Sequence, residues 1–82
     1  MADLKSEIVA GHQASRVLND DAFKAAVKLV EAELFEEWRA AETAEAREDI
    51  HAAFRGLEKV LRRLHATVDS GKVAAALAER RF

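Results

Sequence analysis

The sequence predicts an all-α fold: an antiparallel helical hairpin with an additional N-terminal helix and a short C-terminal helical tail. Three observations carry this. There is no proline, and only three glycines interrupt the 82 residues. Alanine, glutamate, leucine, lysine and arginine, the strong helix formers, dominate the composition. Between Ile50 and Val68 the apolar residues Ile50, Phe54, Leu57, Leu61, Leu64 and Val68 recur in alternating steps of four and three. That spacing places all six on one helix face and matches a coiled-coil seam. Nothing supports strands, because tyrosine is absent and β-branched residues are scattered.

Taken in order, residues 1–18 form an arm with two apolar clusters, Leu4–Ile8–Val9 and Val17–Leu18, separated by Gly11 and His12. Glycine inside a helix costs about 1 kcal/mol relative to alanine, so a bend or fraying is expected at Gly11. Asn19-Asp20-Asp21 then punctuates the chain, with Asp20 as the expected N-cap of the next helix. That helix carries the stripe Phe23, Val27, Val30, Leu34, Trp38 and Ala41, with Phe35 just beside it. The next break is expected at Glu42-Thr43-Ala44, with Thr43 as N-cap. Register supports a reversal there. The stripe ends at Ala41 and resumes at Ile50, and at about 100° per residue a straight helix would put the two stripes on opposite sides. A hairpin over residues 20–71 makes them face each other. Gly71-Lys72 reads as the end of the seam helix. Val73, Leu77 and Phe82 mark one face of a tail over residues 72–82.

The chain is one small domain, and a two-helix unit of this size is marginal alone. It has no cysteine for a disulfide or a thiolate metal site. A partner chain is the remaining source of stability, so a homo-oligomer or larger protein assembly is expected, with a three-helix monomer as the alternative. The candidate interface residues are Phe35, Trp38, Phe54 and Val60, the large apolar groups at the hairpin's closed end and along its unused flank.

Charge is uneven although the net value is only −2. Residues 31–49 hold eight acids and two bases, whereas Lys24, Lys28, Arg55, Lys59, Arg62 and Arg63 gather at the hairpin's open end. Arg55, Lys59, Arg62 and Arg63, extended by Lys72, Arg80 and Arg81, are the candidate nucleic-acid contacts, without interleaved aromatics or a helix-turn-helix pattern. Ligand pairs at helical spacing occur at His65/Asp69 and Glu48/His51, but each offers only two groups. No nucleophile motif or phosphate-cradling glycine loop is present. The expectation is a non-enzymatic protein with no catalytic residue, metal or cofactor. No apolar run reaches membrane-spanning length and no signal-peptide pattern opens the chain, so a cytoplasmic or virion-associated location is expected.

Four strings, Arg16-Val-Leu-Asn-Asp-Asp-Ala-Phe23, Val30-Glu-Ala-Glu-Leu-Phe-Glu-Glu-Trp-Arg39, Glu45-Ala-Arg-Glu48 and His65-Ala-Thr-Val-Asp-Ser-Gly-Lys72, carry a resemblance over roughly residues 14–73. They resemble small helical proteins encoded in tailed-phage and prophage genomes near the head and DNA-packaging genes. Asp21 departs from that pattern, in which a proline often follows the cap. The resemblance implies a virion or packaging role without catalysis and assigns no functional residue. The rival expectations are a small DNA-associated packaging-recognition or regulatory protein and a host-directed inhibitor.

Overall fold

The computed structural model describes residues 3–80 and consists, over those residues, of three helices. Helix α1 runs Leu4–Asn19, α2 Asp21–Ala40 and α3 Ala44–Arg80. At 1.5 Å per residue the first two are about 24 and 30 Å long and α3 about 55 Å. The two short helices together therefore match the long one. α2 lies beside the N-terminal half of α3 and α1 beside its C-terminal half, giving a body 61 × 26 × 14 Å.

Both expected punctuation points hold. The Asp20 carboxylate accepts a 2.8 Å hydrogen bond from Phe23 N–H, and Asp20 N–H donates to Val17 O at 3.1 Å. One extended residue thus closes α1 and opens α2. At the second break Ala41 is extended, and Thr43 Oγ1 accepts from Ala46 N–H at 3.1 Å. Arg47 donates to Ala41 O at 3.2 Å across the reversal. The chain turns back here, so the straight helix that would set the two stripes on opposite sides is excluded.

Both glycine expectations fail, for one reason. α1 passes through Gly11 without a break, and α3 passes through Gly71 to Arg80 with no separate tail. Neither glycine has positive φ, the conformation a glycine helix stop needs. They are instead where the two helices touch. A methyl group on Gly11 would lie 2.9 Å from Gly71 Cα, and one on Gly71 would lie 2.9 Å from Gly11 Cα. The only buried residues described are these two glycines with Ala14 and Ala74. α1 therefore does not lie across the open end of the hairpin but lines α3 beyond it.

The seam of α3 also runs further than expected. After Val68 the same steps continue through Gly71, Ala75 and Ala78, and these positions are buried or half-buried. Residues facing α2 are large (Ile50, Phe54, Leu57, Leu61), whereas those facing α1 are small. The change in side-chain size along one seam marks the change of partner helix. Val73 and Leu77, expected on one face of a tail, are exposed on the continuous helix. Phe82 and Arg81 lie outside the described residues.

Candidate protein interface

Packing leaves the hairpin half without a closed interior. Phe23, Val27, Leu34 and Ala41 of α2 and Ile50, Phe54, Leu57 and Leu61 of α3 are half-buried, and among the described residues no side chain larger than alanine is buried. Val30 and Trp38, both on the expected stripe, are 40% and 44% exposed. Solvent-accessible surface totals 6675 Å². A compact monomer of 9.1 kDa exposes about 4,900 Å². The radius of gyration is 17.5 Å, against about 12 Å for a compact chain of this length.

The exposed residues sort onto two flanks. In an antiparallel helix pair, positions displaced in the same direction along both sequences lie on the same side. Residues one place after the seam positions are Lys24, Lys28, Glu31, Phe35 and Arg39 on α2, and Arg47, His51, Arg55, Glu58, Arg62 and His65 on α3. This flank is basic. Arg47 lies over the Trp38 ring, 5.5 Å from its centroid, and ties that side of the turn together. Residues one place before the seam positions are Ala22, Ala26, Leu29, Glu33, Glu37 and Ala40 on α2, and Glu45, Asp49, Ala53, Gly56, Val60 and Arg63 on α3, with Leu29 60% exposed. This second flank is apolar in its middle and acidic towards the turn.

The four residues expected at an interface are therefore not one patch. Phe35 (52% exposed) and Trp38 belong to the basic flank, Phe54 sits half-buried between the helices, and Val60 (56% exposed) belongs to the other flank. Sequence reading missed Val30 and Gly56. Val30 was counted as a packed stripe residue, and Gly56 carries no signal until its surroundings are seen: a methyl group there would meet nothing within 4 Å.

The residues of the expected basic cluster stay together on the outer face of α3, where Lys59, Arg62 and Arg63 line one shallow hollow. On that face Arg55 and Arg62 lie towards the basic flank, Arg63 towards the other, and Lys59 between them. Arg62 reaches Glu58 at 4.0 Å, an exposed pair worth at most a few tenths of a kcal/mol. The cluster occupies the middle of the molecule and not one end, because α1 and the rest of α3 extend beyond it. Among the described residues the ion pairs are Lys24–Asp21, Arg39–Glu36 and Arg62–Glu58. Glu33, Glu37, Glu45 and Asp49 at the turn, and Lys28, Arg55, Lys59 and Arg63 in the middle, have no such partner there.

His65 with Asp69 and Glu48 with His51 acquire no third ligand, and no group of three potential metal ligands occurs among the described residues. The Asp3 carboxyl is held below its ordinary value of 3.8, chiefly by the hydrogen bond from Ser6 N–H at the start of α1. No described helix is long and apolar enough to cross a membrane.

Fold and surface define an all-helical hairpin extended by a third helix, with incomplete burial in the hairpin half. No family model, curated protein or solved structure matches the chain.

Proposed function

We propose that this chain is a non-enzymatic assembly protein that works by burying its hairpin half against other protein surface. The observation that carries this reading is the missing interior: the chain exposes about 1,800 Å² more than a compact monomer of its mass. A standard interface covers about 800 Å² per partner, so the excess is enough for one or two. The resemblance to phage head and packaging-region proteins supplies a setting in which small helical subunits work in multiple copies. Sedimentation equilibrium of the full chain from low micromolar to several hundred micromolar tests the reading. A mass of two or more chains is expected, and a monomer throughout would overturn it.

A second reading, contact with DNA, is favoured by the basic flank, where Lys24, Lys28, Arg55 and Arg62 lie on one side with Phe35. A gel shift that weakens steeply as salt rises would support it. Arg55→Glu with Arg62→Glu should abolish that shift, and an unchanged shift would remove this flank from consideration.

A further inference from the structure

We propose that a second copy of the chain packs antiparallel against the apolar flank, with Gly56 of the two α3 helices meeting at a twofold axis. This rests on the assembly reading and names its partner, its surface and its direction. The occupant follows from the symmetry of the flank. Asp49, Ala53, Gly56, Val60 and Arg63 recur in steps of four, three, four and three, each one place before a seam residue. The stripe thus lies about 100° round α3 from the face that packs on α2. A helix seated there packs beside α2 and, at its Arg63 end, abuts α1, whose Glu7 and Ala10 share a surface hollow with Arg63.

The stripe is complementary to itself only when reversed. Asp49 and Arg63 lie seven residues either side of Gly56, about 10 Å each way along the helix. An antiparallel copy centred on Gly56 sets Asp49 beside the second copy's Arg63, and Arg63 beside its Asp49. Ala53 falls near Val60 by the same operation. A parallel copy would stack acid on acid and base on base, which is destabilising. Glu33, Glu37 and Glu45, with no ion-pair partner among the described residues, deepen the negative field that the incoming Arg63 meets. Val30 and Val60, 40% and 56% exposed, provide the apolar contact.

Gly56 fits the same arrangement. Within the chain it has no neighbour that a methyl group would touch, yet glycine in mid-helix is unfavourable. The chain uses its other two glycines for one purpose, a helix crossing with Cα atoms in close approach. Gly56 is in the position to make a third such crossing with its symmetry mate.

The test is a charge exchange read by sedimentation equilibrium, with circular dichroism to confirm unchanged helix content. Asp49→Arg alone and Arg63→Asp alone should each raise the dimer dissociation constant about tenfold or more. The double variant D49R/R63D, and an equimolar mixture of the two single variants, should restore association to within a few-fold of the original chain. Gly56→Cys in this cysteine-free chain should form a cross-linked dimer under mild oxidation, while Glu48→Cys should not. Self-association that ignores both single exchanges, or that the double exchange fails to rescue, would overturn the antiparallel arrangement and leave the assembly reading intact. A chain that stays monomeric throughout would overturn both.

Discussion

The three glycines occupy helix interiors in three different situations, and single substitutions separate them. At Gly71 an added methyl would lie 2.9 Å from Gly11 Cα and 3.1 Å from Glu7 O. Backbone cannot yield as a flexible side chain does, so α1 must move off α3. Gly71→Ala should destabilise the chain by about 1–3 kcal/mol despite alanine's better helix propensity. Gly56→Ala meets nothing within 4 Å, so propensity alone acts, and the monomer should gain about 1 kcal/mol. Thermal or urea unfolding of the two variants, at a concentration low enough to keep the chain monomeric, should give opposite signs. Asp3 adds a pH dependence at the same scale. Its folded pKa lies below 3.8 because the ionised carboxylate accepts from Ser6 N–H. The stabilisation is therefore fully present above pH 3.8 and disappears as pH falls through the lower folded value. Helix signal from α1 should fray over that acid range, and Asp3→Asn should flatten the response.

The caps were legible at the element scale because they are local. Asp20 and Thr43 announce themselves as polar residues before apolar periodicity, and each side-chain oxygen accepts from the amide three residues on. Asp20→Ala and Thr43→Ala should each cost about 1 kcal/mol, and the double variant about the sum, since the caps serve different helix starts. The reversal near Thr43 was legible too, through the half-turn mismatch between two apolar stripes. The roles of Gly11 and Gly71 were not. A lone glycine in a helical pattern signals a stop, a bend or a close contact equally, and only the position of another helix decides. The route of α1 depended on that contact, so it was hidden as well. The candidate interface is legible in the sequence only as a set of large apolar residues of the hairpin, Phe35, Trp38, Phe54 and Val60. Its division into two flanks follows from the antiparallel pairing, which had to be in hand first.

At the scale of the whole molecule, stability and assembly are linked. Among the described residues the buried ones are two alanines and two glycines at one crossing, while the larger apolar side chains of the hairpin are half-covered or exposed. Burial of apolar area is the main favourable term in folding, at roughly 25 cal/mol per Å². A chain that leaves so much of that area in water should be weakly stable alone and should gain most when a partner covers it. If the native chain associates and the unfolded chain does not, mass action raises the unfolding temperature with concentration. Calorimetry from about ten to several hundred micromolar should show the midpoint climbing by several degrees. Val60→Asp should abolish the climb by placing an unpaired charge in the middle of the apolar flank, while leaving the dilute midpoint nearly unchanged because Val60 is already 56% exposed in the single chain. A concentration-independent midpoint in the parent chain would mean that the alanine–glycine crossing and the half-covered hairpin hold the fold without help.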